Sequence, residues 1–127
     1  MFDLSADEAR LLLNVALMAT GANRFQSAAR IFAALERYRP DSPSVAVGKA
    51  IALISAMQFA AAVEFIDSTA LERFPGNPML LAFKGMALLR MNRAADAREA
   101  LDAAAAGADP AAAQLAQGLI DSMEETR

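Results

Sequence analysis

The chain has 127 residues, 56% hydrophobic and 21% charged, a length and balance that suit one folded domain and not a disordered tail. It contains no Cys and no His, which excludes Ser-His-Asp triads, thiolate nucleophiles, disulfide frameworks and the usual zinc ligand sets. A formal charge of −3, with Arg24, Arg30, Arg37 and Arg39 scattered among acids, argues against a nucleic-acid surface.

The start, Met1-Phe2-Asp3-Leu4, lacks the basic segment of a signal peptide. Charged or polar residues interrupt every apolar run before the roughly 18 residues of a membrane span. A cytoplasmic protein without a membrane span is the expectation.

Ser5 and Glu8 form an S-x-x-E capping box, so a helix is predicted from about Ala6 through Met18. Gly21 is expected to end it in the left-handed conformation, and Asn23 to cap the next helix. That helix carries Phe25, Ala28, Phe32 and Leu35 at steps of three and four, and Pro40 stops it. A third helix runs from Pro43 to about Ser55 and is apolar on nearly every side: Val45, Val47, Ile51, Leu53 and Ile54. One packed face cannot use all of these, so part of the helix is expected to face a partner. After a break at Ala56–Gln58, a fourth helix runs from Phe59 to Phe74.

Ser42-Pro43, Asn77-Pro78 and Asp109-Pro110 each place an N-cap residue before a proline at the first helical position, and the three pairs are almost evenly spaced. Phe25 and Ala28 recur at a similar interval as Phe59 and Ala62. A two-helix repeat of about 34 residues is the tetratricopeptide signature. The run from Ala34 to Tyr38 echoes from Ala70 to Phe74, a slightly longer shift than that from Phe25 to Phe59, which predicts an insertion of about two residues in the fourth helix. The small residues at the helix crossings are Ala16, Ala50 and Gly85, and then Ala28, Ala62 and Ala97. The predicted fold is all-α: a single tetratricopeptide-like domain with helix pairs at about 6–40, 43–74 and 78–106, and a capping helix at about 110–124, together an α-solenoid. The capping helix carries Leu115, Leu119, Ile120 and Met123 on one side and polar residues elsewhere.

No catalytic, cofactor or metal site is predicted, and an enzyme is not expected. The glycines are isolated, so no phosphate-binding loop exists. The acidic groups Asp3/Asp7/Glu8 and Glu124/Glu125 read as solvated helix ends. Lys49 and Lys84 occupy matching places in the repeats and read as snorkelling side chains.

Tetratricopeptide solenoids line their inner face with the first helix of each pair. In this register the face comprises Leu13, Leu17 and Thr20, then Val47, Ile51 and Ile54, then Met79, Ala82, Met86 and Leu89. Such an aliphatic groove fits the apolar stripe of an amphipathic helix, and its methionines make it adaptable. Leu11 and Met18 lie on the first helix with no preceding repeat to cover them, a predicted surface for self-association or for a small partner.

The segment from Ala16 to Gly21, the helix opening with Ala28, the helix lengths with the break near Ala56–Gln58, and Asp109-Pro110 leading into Gln114–Gly118 resemble the YscG/PscG-type chaperones of bacterial type III secretion. That resemblance implies a cytoplasmic chaperone that cradles the C-terminal amphipathic helix of the needle subunit and prevents its premature polymerisation. It also implies a small helical co-chaperone docked on the first repeat; homo-oligomers of the chain alone are expected from the uncovered Leu11 and Met18 instead. A chaperone for translocator proteins, another secretion accessory protein with the same repeats, or a tetratricopeptide scaffold acting only in protein assembly are the alternatives.

Overall fold

The structure is a computed structural model and describes residues 4–125. Every regular element among them is helical. α1 spans Ala6–Gly21, α2 Phe25–Tyr38, α3 Pro43–Ser55 and α4 Phe59–Phe65. A π-helical turn, Ile66–Ala70, leads into the short α5, Leu71–Arg73. α6 spans Pro78–Arg90, α7 Ala94–Ala105 and α8 Pro110–Glu125. The chain divides into two compact units, one ending at Gln58 and one beginning at Phe59. The division falls inside the second repeat, with α3 in the first unit and α4 in the second.

In the N-terminal unit the capping box closes as predicted: Glu8 N–H donates to Ser5 Oγ (3.1 Å) and Ser5 N–H to Glu8 Oε1 (3.2 Å). Asp3 lies outside the described residues. The α1–α2 turn differs from expectation. Gly21 is the last residue of α1, and Asn23 takes the left-handed conformation (φ 63°), with Arg24 N–H returning to the Ala19 carbonyl (2.8 Å). Asn23 therefore closes α1, and Arg24 stands at the N-cap of α2 without a side-chain cap hydrogen bond. The same closure recurs at Met57 (φ 61°), with Gln58 N–H on Leu53 O, and at Asn92 (φ 60°), with Arg93 N–H on Leu88 O. It satisfies carbonyls that the helix end would otherwise orphan.

α1, α2 and α3 pack against one another. Their core is Ala9, Ala16, Ala28, Phe32, Leu35 and Val45, joined by Leu4 ahead of α1. Arg39 Nη1 donates to the Leu4 carbonyl (3.1 Å), tying that residue to the end of α2. The helices come close at Gly48, where a Cβ would lie 2.7 Å from Leu13 Cδ1 and 2.9 Å from Phe32 Cε1. Ser42 precedes Pro43 as predicted, but its side chain makes no cap hydrogen bond.

In the C-terminal unit α6 packs against α4, α7 and α8, and α7 packs against α8. Asn77 Oδ1 accepts from Leu80 N–H (3.1 Å) and Asp109 Oδ1 from Ala111 and Ala112 N–H (3.0 and 3.3 Å), so both predicted caps form. The repeat register holds: Ala16, Ala50 and Gly85 are buried, as are Ala28, Ala62 and Ala97, and Phe32, Ile66 and Leu101.

The insertion in the fourth helix appears as the π turn, and it amounts to a single residue instead of a pair. Buried positions at 28, 32 and 35 in α2 become 62, 66 and 70, because a π turn holds one residue more than an α turn. Ala70 thus takes the place of Leu35. Leu71, which the sequence echo aligns with Leu35, is only half-buried.

Candidate partner-binding faces

α3 presents Val47, Ile51 and Ile54 at helical spacing, and all three are half-buried. The opposite side of the helix buries Val45 and Gly48. This is the surplus apolar face that the composition of α3 predicts. On α1, Leu13 and Leu17 are half-buried and pack on the unit's core, so they are partly structural. Thr20 is buried, with its hydroxyl donating to the Ala16 carbonyl (2.9 Å), and it faces no groove.

In the C-terminal unit Met79, Met86 and Leu89 are half-buried along α6. Ala82 is a correction. It is fully buried in a cluster with Leu101, Ala104, Ala116 and Ile120 from α7 and α8, because the capping helix covers that side of α6. No client could reach it.

Leu11 is 64% exposed and Met18 73% exposed, and Val15 between them is exposed as well. Together they form an i, i+4, i+7 stripe on α1. Val15 was legible from its spacing to Leu11 and Met18. Met57, 68% exposed in its left-handed conformation, carried no periodic signal.

The two matching lysines are ion-paired. Lys49 Nζ lies 3.0 Å from Glu36 Oε1 and Lys84 Nζ 2.7 Å from Asp67 Oδ1, each joining the first helix of a repeat to the second helix of the one before. On α7, Arg98 Nε donates to Asp102 Oδ1 (3.0 Å), and Nη1 lies 3.4 Å from Glu124 Oε1 on α8. The Asp102 hydrogen bond and charge, then Glu124, raise the guanidinium pKa further above its usual value. Glu8 is held below the usual carboxylate value by the Ser5 side-chain hydrogen bond and then by the Ser5 backbone.

An apolar cleft of about 340 Å³ opens between α2 and α3, lined chiefly by Phe25, Phe32 and Leu53, with Glu36 and Lys49 also at its walls. The sequence register does not point to it. Among the described residues no His, Cys, Asp or Glu cluster could hold a metal ion, and no helix is long and apolar enough to cross a membrane.

The solved structure of the Yersinia enterocolitica type III secretion translocator chaperone SycD matches with a TM-score of 0.79, over 97% of this chain and 92% of that one. The fold is similar to that of a secretion chaperone. Sequence identity over the match is 19%, so the likeness is one of fold. No family model and no curated protein matches the chain.

Proposed function

We propose that this chain is a cytoplasmic chaperone of a type III secretion system, holding an amphipathic segment of a secreted apparatus protein against the apolar face of α3. The observation that carries the reading is the row Val47, Ile51 and Ile54, partly exposed on a helix whose other side already fills the core. Met79, Met86 and Leu89 offer a face of the same chemistry on α6. A client built to assemble or insert must keep its apolar stripe covered until export, and an aliphatic, methionine-bearing face suits that task. The resemblance in α1 and α8 supports a needle subunit as client. The full-length fold likeness to a translocator chaperone favours a second reading, in which the client is a translocator protein. The exposed stripe on α1 serves a small helical co-chaperone or a second copy of the chain.

The test is Ile51→Asp. A charge at this partly buried site costs the free protein about 1–3 kcal/mol of lost apolar burial. Against a client's apolar stripe the same charge is desolvated and unpaired, a cost of several kcal/mol. A loss of about 3 kcal/mol lowers affinity more than a hundredfold. The variant is expected to keep its helical content and to lose the client in pull-downs from co-expression with a needle subunit and, separately, with a translocator. Whichever protein the parent retains identifies the client. A folded variant that holds the client as the parent does sinks the α3 reading. Arg30→Asp, on the exposed side of α2, is the control and is expected to change neither folding nor client binding.

A further inference from the structure

The exposed stripe of α1 is close to symmetric end to end. Leu11 and Met18 lie equally far from a point between Asn14 and Val15, and all three apolar side chains of the stripe are exposed. An antiparallel copy of α1 therefore sets Leu11 against the partner's Met18 and Met18 against the partner's Leu11, with the two Val15 side chains meeting at the centre. The charges at the two ends are opposite in sign. Asp7 stands in the first turn of α1, and Arg24 is folded onto its last turn, with its N–H on the Ala19 carbonyl. Both residues are exposed, and among the described residues neither has an ion-pair partner. In the antiparallel register Asp7 lies opposite the partner's Ala22, two residues from the partner's Arg24, an offset of about 3 Å along the helix that an arginine side chain spans. A parallel pair would instead set Asp7 beside Asp7 and Arg24 beside Arg24, with the helix dipoles aligned.

We propose that α1 is the interface of a two-fold dimer of this chain, in which the two α1 helices run antiparallel and Asp7 of each copy pairs with Arg24 of the other. The inference rests on the reading of the α1 stripe as an association surface and commits that surface to a second copy. The contact uses the same patch on both copies, so it closes on itself and association stops at the dimer. Three apolar anchors a side are far fewer than the residues of a permanent interface, so the dimer is weak and forms in the micromolar range. It covers the stripe while the chain is alone, and a helical co-chaperone docking there competes with the second copy.

Sedimentation of the chain alone reads the dimer with no client present. The parent is expected to show a reversible monomer–dimer equilibrium. Asp7→Lys and Arg24→Glu each turn two attractive contacts into repulsive ones, and each should weaken the dimer about tenfold while helical content is kept, since both sites are exposed. An equimolar mixture of the two variants should associate as the parent does, because the heterodimer again sets opposite charges together at both ends. The chain has no Cys, so single cysteines locate the axis. Val15→Cys should give a disulfide-linked dimer on mild oxidation. Asp7→Cys should not, because the antiparallel register holds its two copies about 22 Å apart and a disulfide needs Cα atoms within about 7 Å. A parent that stays monomeric well above the micromolar range, a mixture that does not recover, or cross-linking of Asp7→Cys in place of Val15→Cys overturns the proposal. The broader reading of the stripe fails separately, when Leu11→Ser with Met18→Ser leaves association with a second copy or a co-chaperone undiminished.

Discussion

Replacing Gly85 by alanine tests the packing of α6 against α7 in the C-terminal unit. A Cβ there would lie 2.5 Å from both Cγ and Cδ2 of Leu101 and 3.3 Å from the Ala97 carbonyl oxygen. Carbon atoms in good contact sit about 3.5–4.0 Å apart, so the overlap is about 1 Å. Leu101 is fully buried, so its neighbours hold its χ1 rotamer, and rotation about Cβ–Cγ leaves Cγ in place; side-chain rotation therefore does not clear the clash. α6 and α7 must move apart. Overpacking of this kind costs about 1–3 kcal/mol, against about 1 kcal/mol gained when alanine replaces a helical glycine. The expected net effect is a loss of up to about 2 kcal/mol. Gly118 on α8 has nothing within 4 Å of its built Cβ, so Gly118→Ala should gain about 1 kcal/mol. One substitution at two helical sites thus has opposite signs. Urea unfolding followed by far-ultraviolet circular dichroism reads both, and the melting temperatures should move by about 3–5 °C per kcal/mol. If Gly85→Ala gains as much stability as Gly118→Ala, the α6–α7 approach described above is wrong.

Three further outcomes are expected. Met57→Asn should raise stability by about 0.5–1 kcal/mol in thermal melts, because Asn tolerates the left-handed conformation that Asn23 and Asn92 adopt at the matching turns and Met does not; a loss of stability would mean that the Met57 side chain is held by contacts. Leu11→Ser combined with Met18→Ser should weaken self-association or co-chaperone binding in sedimentation, while leaving the melting temperature nearly unchanged, since both side chains are exposed; undiminished association moves that surface off α1. Because the folded carboxyl of Glu8 has a lowered pKa, its stabilising contribution is present above its ordinary value of 4.5 and fades as pH falls through the lowered one. The stability difference between the parent and Glu8→Gln should therefore shrink on acidification, and a difference that is flat with pH would exclude the capping box as its source.

Much of the fold was legible in the residues because it rests on local rules. Caps at Ser5, Asn77 and Asp109, prolines at the first helical positions and steps of three and four are interactions between near neighbours, and near neighbours are what a sequence displays. The recurring small residues were legible for the same reason: helices can cross closely only where side chains are small, so Ala16, Ala50 and Gly85 mark the crossings wherever the helices go. Partner choice across the fold was not legible. Periodicity put Ala82 on the same face as Met79 and Met86, and only the arrival of α8 decided that Ala82 is core while its neighbours stay half-open. The echo of Ala34–Tyr38 pointed to a pair of inserted residues in the fourth helix, but the backbone absorbed one in a π turn and let Ala70 replace Leu35 in the core. Lys49 and Lys84 looked like solvated lysines until the preceding helices brought Glu36 and Asp67 within reach. The cleft beside Phe25 arises in the same way: the separation of Phe25 and Ala56 along the chain hides it until α2 and α3 pack.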